Sequence, residues 1–253
     1  MKSWQDIGFE IEATMDGSPT LRLLESVDPT KFRGESMHHS GGACAETNLI
    51  YGLPMRDVLL KVTKPHFLVV GLGLGYIELT LAREALLAGK NSADVGLITS
   101  YESVPELREF FFAWLHDSEK LHPEVQKTYD QVLTFILADT DLKAEQMKAF
   151  LKNHFKKLED LRGALSLDVV LESKYHCLLY DAFSSKTTPN LWEEAFLEKL
   201  LSYGVAEQSV MSTYACRASF RTALRNHGFE VIVREGFCGK RTSTLGLRNF
   251  SKM

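Results

Sequence analysis

Residues 67–82 constrain this chain most. They read FLVVGLGLGYIELTLA. Four apolar residues, Phe67, Leu68, Val69 and Val70, run into Gly71, Gly73 and Gly75 and then into apolar residues at helical spacing. A short apolar run, a glycine cluster and a helix-period stretch predict a buried strand, a tight turn and a helix. Glycines at such a turn let the backbone approach a ligand, and the helix that follows offers unpaired N–H groups there. The spacing is G-x-G-x-G, which differs from the G-x-G-x-x-G of dinucleotide-binding turns.

The rest of the chain fits an α/β protein. At 253 residues it is long enough for a large core, and a single domain over 1–253 is expected. No apolar run approaches the ~20 residues a membrane span needs. The N-terminus, MKSWQD, lacks an apolar targeting stretch. The cysteines at 44, 177, 216 and 238 form no C-x-x-C pair, so no metal site is expected and reduced thiols in the cytoplasm are. A net charge of −4 argues against a generally basic nucleic-acid surface but leaves room for a local patch.

Residues 9–15 and 20–24 alternate around Asp16-Gly17-Ser18-Pro19, which predicts a β-hairpin, read as a structural extension over 1–33. Residues 34–53 read as a loop entering a helix. His38 and His39 are adjacent, point apart and are expected in a solvated loop rather than as joint metal ligands. Glu46 begins the helix, where an acid suits the helix dipole. A second buried strand over 95–102 ends in Glu102, the position from which an acid holds a ribose diol in doubly wound sheets. Residues 105–121 predict a helix whose Phe110, Phe111, Phe112 and Trp114 face a core or pocket wall. Residues 123–162 read as an inserted helical segment. Within it Asp139 is either the acid ending the third strand or a helix break. Residues 165–172 alternate as a strand ending in Glu172. Residues 177–183 form a further apolar strand carrying Asp181. Helices over 191–203 and 218–227 and strands over 205–213, 228–233 and 243–248 complete the pattern. Strands alternating with helices predict a doubly wound, mostly parallel sheet closed by an antiparallel hairpin at its edge. Ligands of such sheets bind beyond the carboxyl ends of the strands, where the glycine loop, Glu102, Asp139 or Glu172, and Asp181 would fall.

The glycine loop resembles motif I of Rossmann-like class I S-adenosylmethionine (SAM) methyltransferases. Further motifs make the resemblance narrower. They are DGSPTL at 16–21, GACAET at 42–47, Asp181-Ala182-Phe183-Ser184 followed by Lys186, Pro189, Asn190 and Trp192, and GFCGKR at 236–241. Together they resemble the methyltransferase domain of MnmC-type tRNA 5-(aminomethyl)uridine methyltransferases. No second domain with a flavin-type motif is read, so a stand-alone form is expected. Val69 and Leu74 depart from the acid and the polar residue common in that family. The resemblance implies a SAM-dependent N-methyltransferase acting on a tRNA wobble uridine. Asp181 would be catalytic, near the acceptor amine. Gly71, Gly73, Gly75, Glu102, Glu46, Glu172 and Asp139 would serve the cofactor. Phe183, Lys186, Trp192, Lys240 and Arg241 would meet the substrate. Arg217, Arg221 and Arg225 recur every four residues as a basic helix face suited to phosphate contact. Two rival readings are a methyltransferase of a small molecule or another macromolecule, and a non-catalytic protein on a decayed methyltransferase fold.

Overall fold

The computed structural model describes residues 1–24, 34–239 and 242–250. The chain opens with a hairpin, β1 (Phe9–Ala13) and β2 (Pro19–Leu23). A helical stretch follows, made of α1 (Ala43–Thr47), a π turn (Asn48–Gly52) and α2 (Leu53–Lys61). Then come β3 (Phe67–Val70), α3 (Tyr76–Leu87), β4 (Ile98–Tyr101), α4 (Pro105–Leu115), α5 (Pro123–Leu137), α6 (Ala144–His154) and β5 (Leu161–Arg162). The last part runs β6 (Tyr175–Tyr180), α7 (Glu194–Gly204), β7 (Val205–Thr213), α8 (Ala218–Asn226), β8 (Glu230–Arg234) and β9 (Ser243–Arg248).

Seven strands form one sheet in the order β5-β4-β3-β6-β7-β9-β8. The first five run parallel, and β9 pairs antiparallel with both β7 and β8. This is the expected doubly wound sheet, with the closing hairpin folded so that its second strand lies inside. β3 is apolar throughout and β6 nearly so, because helices cover both faces. Side chains alternate between those faces. Phe67, Val69, Cys177, Leu179 and Val210 pack with α2 through α6. Leu68, Val70, Leu178, Tyr180 and Met211 pack with α7 and α8.

The third strand is not where the sequence suggests. The alternating stretch 165–172 forms no strand, and the parallel partner of β4 is the two-residue β5. Two residues carry no periodic signal, whereas 165–172 alternates without an edge to pair with. The helical run expected over 123–162 contains α5, α6 and, at its end, β5 itself. It is the crossover between the second and third strands.

The hairpin docks through its turn. Ser18 is fully buried, and its Oγ accepts from Ala43 N at 2.9 Å and Cys44 N at 3.1 Å. It thereby caps α1 from a distant part of the chain, meeting N–H groups a helix end leaves unpaired. Asp16 holds the Ser18 backbone N–H at 2.9 Å. A Cβ at Gly42 would lie 2.3 Å from Asp16 Oδ2, so only glycine admits the turn there. The motifs at 16–21 and 42–47 are thus two halves of one junction. Ser18→Ala is expected to cost about 2 kcal/mol, as caps of this kind do, read as a lower urea midpoint with unchanged slope.

Candidate active site

The carboxyl ends of β3, β4 and β6 surround a cavity of about 480 Å³. It lies where strand order reverses about β3, with β4 on one side and β6 on the other. The glycine turn forms one wall. Gly71, Gly73 and Gly75 have φ of 98°, 52° and 73°. At Gly71 the backbones of β3 and β6 come so close that a Cβ would sit 2.4 Å from the Asp181 carbonyl oxygen. Gly71 and Gly73 line the cavity; Gly75 does not, because it faces inward and a Cβ there would strike the Phe111 ring.

Glu102, at the end of β4, lines the cavity and is 8% exposed. Its Oε2 accepts from Gly73 N at 3.1 Å and its Oε1 from Val104 N at 2.9 Å. Burial raises its pKa against these bonds. The acid after the second strand therefore also fixes the glycine turn.

Asp181 follows β6 directly and lines the cavity. Tyr51 Oη donates to its Oδ1 at 2.6 Å. Among the described residues no donor reaches Oδ2. Desolvation pushes the Asp181 pKa up to about 7; the Tyr51 hydrogen bond lowers it and the Glu46 charge raises it. Tyr51 comes from the π turn and is 2% exposed. Neither Tyr51 nor Tyr214, whose Oη donates to Ala182 O at 2.9 Å, is legible as a site residue in sequence.

Glu46 lines the same cavity, and its Oε2 accepts from His39 N at 2.7 Å. His38 is not in a solvated loop. Its Nδ1 lies 3.0 Å from Thr20 Oγ1 and its ring packs edge-on to Tyr76. Burial pushes its pKa down to about 4, so it lines the cavity as a neutral ring. No cluster of metal-ligating side chains occurs among the described residues.

The loop after Asp181 forms the opposite wall through Phe183, Thr187, Thr188 and Asn190. Glu35 ties it down, accepting from Ser184 N and Ser184 Oγ, each at 3.0 Å, and from Thr187 Oγ1. Trp192 sits beneath this loop rather than in the cavity. It is 4% exposed, and its Nε1 donates to Phe183 O at 2.7 Å. Lys186 is exposed and outside the cavity lining.

Two expected cofactor acids lie elsewhere. Asp139 ends no strand; it is an exposed turn residue after α5 with φ of 60°. Glu172 ends no strand either; it pairs with Arg162 and borders a separate hollow against α7. Lys240 and Arg241 lie outside the described residues.

A fold of this kind, with a glycine turn and an acid at the second strand's end, defines a nucleoside-cofactor enzyme class. The S-adenosyl-L-methionine-dependent methyltransferase family matches residues 119–249, and the chain belongs to it. SAM is accordingly its cofactor. Among curated proteins it is similar to an uncharacterized protein of Methanocaldococcus jannaschii, 26% identical over 236 residues, which are 93% of this chain and 58% of that protein. It is also similar to the tRNA 5-methylaminomethyl-2-thiouridine biosynthesis bifunctional protein MnmC of Hahella chejuensis. There the match is 33% identical over 67 residues, 26% of this chain and 10% of that protein. The chain therefore spans little more than half of the first relative and a small part of the second. In fold it is similar to MnmC2 from Aquifex aeolicus, with TM-score 0.61, 20% identity, and 96% of this chain and 71% of that one covered.

The residues present fit SAM. Glu35, Glu46, Glu102 and Asp181 line the cavity, and among the described residues no lysine or arginine does. That donor set suits a ligand carrying a sulfonium and an ammonium, and the glycine cradle admits close backbone contact.

Proposed function

We propose that this chain is a SAM-dependent N-methyltransferase of aliphatic amines whose substrate is an aminomethyl-uridine in tRNA. The observation that carries the reading is Asp181, a carboxylate with one oxygen held by Tyr51 and the other open to the cavity beside the glycine turn. Gly71, Gly73, Glu102 and Glu46 would hold the cofactor. When bound, SAM supplies an electrophilic methyl group on its sulfonium.

The protein's own part is to orient the amine and take its proton. An amine is protonated at neutral pH and must lose that proton to attack carbon. A carboxylate whose pKa is pushed up to about 7 is matched to accept it. Phe183, on the facing wall, is placed to cover a base, and the wall's carboxylates favour a cationic amine over a neutral alcohol. Exposed Lys186 lies on the same loop, and exposed Arg217 bonds its Ser185 and lies 5.8 Å over the Trp192 ring. Cations there suit a phosphate backbone. No described helix is long and apolar enough to cross a membrane.

The test is direct. tRNA bearing 5-aminomethyluridine is incubated with protein and SAM, digested, and its nucleosides weighed. The expected result is conversion of that nucleoside to a species heavier by one methylene. An unchanged nucleoside, from protein that binds SAM, would remove tRNA as the substrate and favour a small-molecule amine.

A further inference from the structure

The helical stretch from Ala43 to Lys61 is broken by one π turn, Asn48–Gly52. Such turns cost hydrogen-bond geometry and occur disproportionately at functional sites. This one is braced from outside. Ile50 O accepts from Ser212 Oγ at 2.5 Å and from Arg234 Nη2 at 3.3 Å. Arg234 also donates to Ser212 Oγ at 2.8 Å. Arg234 belongs to the basic C-terminal part of the sequence, yet its side chain is spent on this brace. The widened turn presents Tyr51, whose hydroxyl reaches Asp181 across 130 positions of sequence.

We propose that Tyr51 is a positioning residue: it pins Asp181 Oδ1 so that Oδ2 is the oxygen offered to the acceptor nitrogen. The inference rests on Asp181 facing that nitrogen. The geometry is specific. Asp181 Oδ1 has one donor among the described residues, and that donor is buried and rotationally confined by packing. The Tyr51 hydroxyl also lies 3.4 Å from Tyr180 O, a longer contact that competes only weakly.

Other ionisable groups facing Asp181 are Glu46 from α1, Glu78 from α3 and Tyr214 beyond β7. Glu46 and Glu78 disfavour the Asp181 anion when charged. Among the described residues only Tyr51 donates a hydrogen bond to the carboxylate, and donation favours the ionised form. Removing it is therefore expected to move the carboxylate's titration upward and to free its rotamer.

The test uses the full chain labelled with carboxyl-¹³C aspartate. The Asp181 resonance is assigned by its loss in Asp181→Asn. In Tyr51→Phe its titration midpoint is expected to rise by about half a unit or more. The kcat for amine methylation at pH 7 is expected to fall by about tenfold or more, with the acid limb of the rate profile shifted by the same amount and the KM for SAM nearly unchanged. An unchanged midpoint overturns the proposal, because a merely structural tyrosine would leave the titration where it was. This readout needs no substrate, so an inactive wild type would count against the amine reading and not against the hydrogen bond. If Tyr51→Phe does not fold, 3-fluorotyrosine at position 51 supplies a stronger donor on the same ring. The midpoint should then fall, and a midpoint that stays in place contradicts the proposal.

Discussion

Asp181→Asn is expected to lower kcat for methyl transfer by about 10²- to 10⁴-fold, the range over which a positioned base contributes. The amide has the same shape and still accepts from Tyr51, so the fold and SAM affinity should survive. What it loses is the ability to take a proton from the acceptor ammonium. The wild-type rate should rise with pH through about 7, where the Asp181 carboxyl ionises. The residual rate of the variant should lack that limb and follow only the amine's own ionisation. An Asn variant with wild-type kcat would show that the amine reaches the site already neutral, leaving Asp181 without a catalytic part.

Glu78→Gln is expected to stabilise the protein, and to do so only above acidic pH. Glu78 lies in the first turn of α3, fully buried beneath the glycine turn. Its Oε1 accepts from Ser100 Oγ at 2.5 Å, and its Oε2 has no partner among the described residues. Burial pushes its pKa up from 4.5 to about 8, and the Ser100 bond offsets only part of this. The unfolded chain releases that proton near 4.5, while the native chain keeps it until about pH 8. Stability therefore falls with rising pH across that window, by about 1.36 kcal/mol for each unit. The contribution is complete below pH 4.5 and lost by about pH 8. Glutamine mimics the protonated acid and removes the linkage. Variant and wild type should have similar urea midpoints near pH 4. At pH 8 the variant should be more stable by on the order of 4 kcal/mol. A difference that stays flat with pH would mean Glu78 titrates alike in the native and unfolded chains.

The glycine turn, Glu102 and Asp181 were legible because each stands where an apolar run stops, and in a doubly wound sheet those stops converge. The chain's alternation of strands and helices gave the sheet for the same reason. The third strand was not legible. Only Leu161 and Arg162 pair with β4, too short a run to show periodicity, while 165–172 carries an alternation whose Leu165, Val169 and Leu171 pack against the second core without forming a strand. With the third strand at 161–162, neither Asp139 nor Glu172 stands at a strand's end. Tyr51 left no trace because its partner, Asp181, lies 130 positions along the chain after β6. Glu35 and His38 sit in loops whose positions depend on contacts distant in sequence. Trp192 was recognisable as part of a motif, but the motif does not say that its indole props the loop from below.

The measurement that bears most directly on this account is calorimetric titration of the full chain with SAM, beside Glu102→Ala. Glu102 holds Gly73 and Val104 and lines the cavity, so it joins the cradle to the ligand. The account predicts micromolar binding to the wild type and a loss of at least about tenfold, or about 1.4 kcal/mol, in the variant. No heat from the wild type at millimolar SAM, or equal affinity in the variant, would contradict the placement of the cofactor in this cavity.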